Sequence, residues 1–125
     1  MAVQDIGLLL LRLGIGVIFL VHGLPKIRKP KNMAKGMGWK PVVVVLLGLI
    51  EVLSAIAVIV GLYAEVAALL LALVMVGALI HKILIWKVSF IAMDKTGWEL
   101  DLMLLLTALC IALVGPGLVA IETLL

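Results

Sequence analysis

Ionisable side chains interrupt three of the four long apolar runs in this sequence. Arg12 and Glu51 each lie near the middle of a run, and His22 and His81 lie near the ends of two of them. A charge inside a lipid bilayer costs about 2.5–3.5 kcal/mol on insertion scales, so it normally faces other helices and finds a partner there. Histidine changes its charge near neutral pH, which proton-coupled chemistry requires. These residue types indicate buried polar contacts and, at the histidines, a site suited to handling protons.

The composition indicates that lipid is the main solvent of this chain. Its 125 residues are 66% hydrophobic and 14% charged, with a mean hydropathy of +1.42. Soluble domains are about 45–50% apolar and about 25% charged, and a soluble domain of this length could not bury so much apolar side chain. The first run lacks the basic lead-in and cleavage pattern of a signal peptide, so we expect it to be retained. We therefore expect one all-α domain, residues 1–125, in a cell membrane.

Four apolar runs predict four membrane-spanning helices. The predicted spans are residues 6–24, 42–62, 65–86 and 99–121. Crossing the hydrocarbon core takes about 20 helical residues, and helices satisfy their own backbone hydrogen bonds in lipid. The connections are short enough for sequential neighbours to pack together. The sequence thus predicts an integral membrane four-helix up-down bundle.

Basic residues concentrate in the first predicted loop, residues 25–41. This loop holds Lys26, Arg28, Lys29, Lys31, Lys35 and Lys40, and the third loop adds Lys87 and Lys95. Cytoplasmic loops carry an excess of Lys and Arg. We therefore expect a multi-pass protein with loop 25–41 in the cytoplasm and both termini outside. The basic loop suits anionic lipid head groups, so membrane lipid is an expected partner and nucleic acid is not.

Arg12 and Glu51 are predicted to form an intramembrane ion pair. Each lies near the middle of its span, and at about 1.5 Å rise per residue an arginine side chain could bridge their axial offset. Gly16 follows Arg12 at i+4 and Gly48 precedes Glu51 at i−3, and such small residues let membrane helices approach closely. Two roles stay open for this pair. It either locks two helices together or acts on a polar head group or on protons.

A second polar cluster is predicted near the cytoplasmic side of the bundle. Up-down topology brings His22, His81, Glu99 and Asp101 to similar depth, and we predict that they bind a ligand. Asp101 shares a helix face with Ala108, which favours Asp101 as the inward carboxylate, whereas Glu99 could stabilise the helix N-terminus. No HxxxH or ExxH spacing occurs, so no metal site is predicted. No catalytic residue is identified.

Three segments of the chain resemble the DoxX family of small four-helix membrane proteins. The opening segment is LLLLRLGIGVIFLVHGLPKI, the central one is GLIEVLSAIAVIVGLYAEVAALLLALVMVGAL, and the closing one is GWELDLMLLLTALCIALVGPG. The resemblance implies a four-helix membrane bundle associated with quinol oxidase, with thiosulfate:quinone oxidoreductase or with membrane redox-stress complexes. The positions that match are Arg12, His22, Gly23, Lys26, Glu51, Gly61, Glu99, Gly115 and Gly117, and His81 corresponds loosely to a histidine late in the third span.

The histidine cluster and the resemblance together predict a redox-associated membrane subunit. We expect it to bind a quinone or a similar isoprenoid lipid and to be at most one subunit of a quinone-linked oxidoreductase. The sequence has no flavin, haem or iron–sulfur site of its own, so no intrinsic cofactor is predicted and a redox partner protein would supply electrons. Two alternatives stay open: a non-enzymatic scaffold or assembly factor, and a small-solute transporter. A homo-oligomer is also left open.

Overall fold

Every element in the described part of the chain is helical. The computed structural model of the protein describes residues 2–124, and the all-α prediction is confirmed for them. Helix α4 continues into one π-helical turn, His81–Ile85, and a short 3-10 turn covers Ile121–Thr123. The five α-helices are α1 (Val3–Arg28), α2 (Pro30–Met37), α3 (Pro41–Val60), α4 (Ala64–Ile80) and α5 (Trp98–Val114).

Three helices are long and apolar enough to cross a membrane. They are Val3–Arg28, Pro41–Val60 and Ala64–Ile85, and they correspond to the predicted spans 6–24, 42–62 and 65–86. Large apolar side chains on these helices stay exposed. Exposed apolar surface of this extent marks contact with lipid or another protein rather than with water.

Helix α5 is shorter than the predicted fourth span, residues 99–121. Helix α5 has 17 residues and ends at Val114. Gly115 and Gly117 then adopt φ angles of +93° and +83°, a region that glycine enters without steric cost. Pro116 lies between them and has no backbone N–H group to donate a helical hydrogen bond. The chain therefore leaves the helix axis, and an up-down bundle of four full spans is not confirmed.

Helix α2 lies inside the predicted basic loop, residues 25–41. Proline occupies its first turn and Gly38 ends it with a φ of +75°. Proline is common at the first position of a helix, and glycine is common just past its end. Helix α2 packs against α3 and α1, so it covers one end of the helical assembly.

Helices α1 and α3 are antiparallel and approach closely. A Cβ on Gly16 would meet the side chain of Ile59, and a Cβ on Gly48 would lie 2.8 Å from Lys26 Cβ. The most extensive helix contacts are α1 with α3 and α4 with α5, and α3 packs against α4 between them. The apolar core is formed by Ile15, Phe19, Ala55, Val58, Ala67, Ala68, Leu71, Ala72, Met75, Leu104, Ala108 and Ile111.

Candidate functional site

Arg12 is buried and binds backbone carbonyls. Its Nε donates to the Val58 carbonyl at 2.8 Å and its Nη2 to the Ile59 carbonyl at 2.7 Å. Its Nη1 donates to the carbonyls of Pro116 at 3.0 Å and Val119 at 2.6 Å. We call these five residues the Arg12 cradle. Val58 and Ile59 lie in the last turn of α3, where carbonyls have no partner within the helix and the helix dipole favours a cation. The cradle ties α1 to the end of α3 and to the segment after α5.

The predicted ion pair between Arg12 and Glu51 does not form. Glu51 faces Lys26 instead, with Lys26 Nζ 2.6 Å from Glu51 Oε1. Arg12 and Lys26 are about 21 Å apart along α1 at about 1.5 Å per residue. The physical reason is the antiparallel register, which sets Arg12 beside the end of α3 and Lys26 beside its middle. The prediction also assumed that Arg12 needs a carboxylate partner. Backbone carbonyls accept its hydrogen bonds instead.

The Lys26–Glu51 pair is buried but incompletely hydrogen-bonded. Glu51 is 1% exposed and Lys26 8%. Glu51 Oε2 has no hydrogen-bond partner within residues 2–124. Leaving a buried polar atom without a partner costs about 1–3 kcal/mol, and more for a charged group. Glu51 therefore carries a cost in stability that its ion pair with Lys26 does not fully offset.

A cavity of about 490 Å³ lies beside this ion pair. Its apolar wall comes mainly from the spanning helices, with Phe19, Leu47 and Leu70 among the contributors. A volume in this range is typical of small-molecule pockets, which are mostly apolar with a few converging polar groups. Six ionisable side chains supply that polar part: His22, Lys26, Glu51, His81, Lys82 and Asp101.

Both predicted histidines line the cavity. His22 Nδ1 lies 2.8 Å from the Ile18 carbonyl, and His81 Nδ1 lies 2.8 Å from the Gly77 carbonyl. A carbonyl oxygen only accepts, so each Nδ1 must carry the hydrogen and donate it. In a neutral imidazole the other nitrogen, Nε2, is then an acceptor. The structure thus brings His22 and His81 to one pocket with a defined tautomer.

Of the two predicted carboxylates, Asp101 reaches the cavity and Glu99 does not. Asp101 is buried on α5 and lines the pocket, whereas Glu99 is exposed and lies outside it. Lys82 Nζ lies 2.7 Å from Asp101 Oδ2. The approach is an ion pair without a well-aligned hydrogen bond, since Oδ2 has no hydrogen-bond partner in the described chain. Asp101 therefore resembles Glu51 in facing a lysine across the pocket lining.

Three aromatic side chains, Trp39, His81 and Trp86, pack together and line the cavity. The His81 ring centroid lies 5.0 Å from that of Trp39 and 5.4 Å from that of Trp86, and the two indoles are 6.2 Å apart. Trp39 follows α2, which also contributes Met33 and Met37 to the lining. Aromatic faces pack favourably against other rings in offset or edge-to-face geometry. This end of the cavity is therefore suited to a flat head group.

Sequence reasoning missed Lys26, Lys82, Trp39 and Trp86 as parts of the site. A signal for Lys26 was present, since it follows His22 at i+4 and Phe19 at i+7 and so shares their helix face. Nothing in the spacing of the tryptophans brings them together, and tryptophan is also common at the membrane interface for its own sake. For metals, no group of three or more histidine, cysteine, aspartate and glutamate side chains in residues 2–124 is arranged to hold an ion.

These features define a helical, multi-pass membrane protein with a mostly apolar pocket whose polar groups lie at one end. The DoxX family profile matches residues 7–85, which include Arg12, Lys26, Glu51 and both histidines. The chain is also 32% identical over 121 residues to a Bacillus subtilis (strain 168) protein named Putative oxidoreductase CatD, covering 94% of this chain and 86% of that protein. No solved structure is significantly similar to the chain. The protein belongs to the DoxX family.

Proposed function

We propose that this protein is a redox-associated membrane subunit that binds a quinone or a similar isoprenoid lipid in the cavity. The observation that carries the proposal is the joint placement of His22, His81 and Asp101 on one mostly apolar pocket. An amphiphilic ligand with a small polar ring and an apolar tail matches such a lining. The name of the Bacillus subtilis relative, an oxidoreductase, agrees with redox chemistry.

The two parts of the ligand have separate surroundings in this proposal. The ring lies near the aromatic group of Trp39, His81 and Trp86, where its edge reaches polar atoms. The isoprenoid tail follows the apolar lining, to which Ile50 and Leu73 contribute. Burying apolar tail surface supplies most of the affinity, at about 25 cal/mol per Å², while the polar groups fix orientation. Lipid can enter directly, since exposed apolar residues surround the helices.

A redox partner protein supplies the electrons in this proposal. The residues of the pocket bind, orient and hold protons, and they include no group that carries electrons by itself. His22 and His81 are the groups suited to exchange protons with a head group, because an imidazole nitrogen can either donate or accept a hydrogen. The protein is then one subunit of a quinone-linked oxidoreductase rather than the whole enzyme.

The cavity end is proposed to face the cytoplasm. The six basic residues of residues 25–41 lie at this end with α2, and cytoplasmic loops carry such an excess. Labelling with an impermeant maleimide tests this in a Cys110→Ala background. Lys31→Cys should react only after the cells are permeabilised. Tyr63→Cys, in the opposite turn, should react from outside and is the matched control. Labelling of Lys31→Cys in intact cells would contradict this orientation.

A scaffold or assembly factor is the second candidate function, and the Arg12 cradle favours it. There a buried charge makes four hydrogen bonds that join three parts of the chain and leave it engaged with backbone alone. A protein whose charges all served packing in this way would need no ligand. The two candidates differ in one respect: a scaffold has no saturable ligand at the cavity.

Tryptophan fluorescence tests the proposed function at the pocket itself. Trp39 and Trp86 line the cavity, whereas Trp98, the third tryptophan, packs against Phe90 with ring centroids 4.5 Å apart. Titration with a short-chain quinone should quench the Trp98→Phe variant saturably. The Trp39→Phe/Trp86→Phe variant, which keeps only Trp98, is the control for quenching by quinone dissolved in the micelle. Equal, non-saturable quenching of both variants would contradict binding in the cavity.

A further inference from the structure

The charged side chains that line the cavity form two ion pairs. Lys26 Nζ on α1 lies 2.6 Å from Glu51 Oε1 on α3, and Lys82 Nζ lies 2.7 Å from Asp101 Oδ2 on α5. Within residues 2–124, no other lysine, arginine, aspartate or glutamate lines the cavity. The positive and negative formal charges on this lining therefore cancel, so a head group that enters meets paired charges instead of a free cation.

The basic residues of α2 are directed away from the cavity. Met33 and Met37 line the cavity, whereas Lys31 and Lys35 are exposed and do not. Each of these lysines is two residues from Met33, which is about 200° around a helix of about 3.6 residues per turn, so it lies on nearly the opposite face. Water and salt screen an exposed charge over about 10 Å. The positive charge of α2 therefore faces water and does not replace a free cation in the cavity.

We infer that the cavity accepts lipids with an uncharged head group and excludes those with an anionic head group, such as an isoprenyl phosphate. This inference rests on the proposed function and narrows the class of its ligand. An anion that leaves water for a mostly apolar pocket needs a cation that is free to pair with it. Here each lysine already faces a carboxylate, which repels an incoming anion about as strongly as the lysine attracts it.

An anionic head group could bind only by taking a lysine from its carboxylate. Drawing Lys82 away from Asp101 would leave a buried carboxylate without its partner, and breaking one side of a buried pair is strongly unfavourable. The same holds for Lys26 and Glu51, since Glu51 is 1% exposed. An uncharged ring loses less hydration on burial, and it can accept hydrogen bonds from the remaining lysine N–H groups or from the indoles while both pairs stay intact. Glu51 and Asp101 therefore set the head-group specificity of the site.

Competition for the cavity tests this specificity on the full-length protein. The reporter is the Trp98→Phe protein with a bound short-chain quinone, whose quenching of Trp39 and Trp86 measures occupancy of the cavity. Two competitors with the same isoprenyl tail are compared at about pH 8, where ordinary imidazole is uncharged: an isoprenyl phosphate and its dimethyl ester, which has a similar shape but no charge. We expect the ester to displace the quinone at a concentration at least about ten-fold lower than the phosphate. Displacement by the phosphate at an equal or lower concentration would overturn the inference.

Variants of the two carboxylates, made in the same reporter protein, test their role directly. Asp101→Asn keeps the shape of the side chain but leaves Lys82 as a free cation, so the phosphate should displace the quinone at least about ten-fold better than before. Glu51→Gln should have the same effect by freeing Lys26, and neither variant should change displacement by the uncharged ester. Glu99→Gln removes the same charge from an exposed residue outside the cavity and is the matched control. A gain that Glu99→Gln shares, or no gain in either cavity variant, would contradict the inferred specificity.

Failure of the inference is distinguishable from failure of the proposed function. If the quinone does not quench the Trp98→Phe protein saturably, the cavity is not a quinone site and both statements fall. If the quinone binds and the phosphate displaces it as well as the ester does, the proposed function stands and the inference is wrong. A preference for the ester that Asp101→Asn or Glu51→Gln removes supports the two together.

Discussion

Buried charged groups are fully hydrogen-bonded in the Arg12 cradle and only partly hydrogen-bonded at the cavity. In the cradle, one guanidinium makes four hydrogen bonds to carbonyls of α3 and of the segment after α5. In the cavity, Glu51 is equally buried yet keeps one oxygen without a hydrogen-bond partner, and two histidines present acceptor nitrogens. A polar group that is fully satisfied holds structure together, whereas an unsatisfied one costs stability that a bound ligand can restore. The first region is therefore structural and the second is suited to binding.

The largest loss of stability is expected from Arg12→Leu. The change removes four hydrogen bonds and leaves carbonyls of two segments without donors, so we expect the free energy of unfolding to fall by at least about 4 kcal/mol. Arg12→Lys keeps the charge but not the planar fork, and should fall between wild type and Arg12→Leu. Thermal unfolding in detergent, followed by circular dichroism, measures both.

The neighbouring exposed residue provides the control for Arg12. Leu13→Ala makes no comparable polar change and should stay within about 0.5 kcal/mol of wild type, as exposed substitutions usually do. If Arg12→Leu unfolds at the same temperature as Leu13→Ala, the cradle is not structural.

The next largest effect is expected at the Lys26–Glu51 pair. Lys26→Leu or Glu51→Leu alone leaves one buried charge without its partner and should cost at least about 3 kcal/mol, while the double change should recover most of that loss. The Arg12→Leu/Glu51→Leu double variant should show no such recovery, because Arg12 and Glu51 are not paired. Double-mutant cycles of thermal stability measure the two coupling energies. Recovery of stability in the Arg12/Glu51 cycle and not in the Lys26/Glu51 cycle would indicate that Arg12, rather than Lys26, pairs with Glu51.

A smaller effect is expected where the cradle meets the turn between α3 and α4. Gly61 has a φ of +76°, and a Cβ there would clash with Ala120 and lie 2.8 Å from Arg12 Nη2. Gly61→Ala should therefore lower the free energy of unfolding by about 1–2 kcal/mol. Gly14→Ala is the matched control, since nothing lies within 4 Å of its added Cβ and alanine suits a helix interior better than glycine. Equal stability of the two variants would argue against close packing at Gly61.

The smallest effect on stability is expected from the cavity histidines. Each makes one hydrogen bond, to a carbonyl of its own helix, so His22→Phe or His81→Phe should change the free energy of unfolding by less than about 1 kcal/mol. The same thermal scans measure this. A loss as large as that of Arg12→Leu would move the histidines from the binding region to the structural one and favour the scaffold.

Sequence patterns predicted the helices well where an apolar run had clear ends. The first three predicted spans agree with α1, α3 and α4 with its π-turn to within a few residues. Helix α1 continues through Pro25 to Arg28, although proline ordinarily kinks or ends a helix. The last span was extended to residue 121 although Gly115 and Gly117 were visible stop signals. Apolar residues beyond that turn were counted as helix because composition alone does not separate a span from a folded-back segment.

The candidate site was predictable in part. Depth arguments brought His22, His81 and Asp101 together, because the turns fix which ends of the helices meet. The partner of Arg12 was not predictable, since backbone carbonyls leave no mark in the sequence. The partner of Glu51 depended on the register of α1 against α3, which close contacts at Gly23 and Gly48 set. The hydrophobic pattern does not reveal a shift of a few residues between two helices that are apolar on most of their surface.

Mass spectrometry of the lipids and quinones that stay with the gently purified protein tests whether the cavity holds a quinone or a similar lipid. Wild type, His81→Leu and Glu99→Gln would be purified in parallel and their extracts compared with total membrane lipid. We expect a quinone-class lipid to be enriched in wild type and in Glu99→Gln and to be lost from His81→Leu. Bulk lipid alone in all three, with no thermal shift on adding quinone or hydroquinone, would contradict the binding role of the cavity and leave the scaffold as the function.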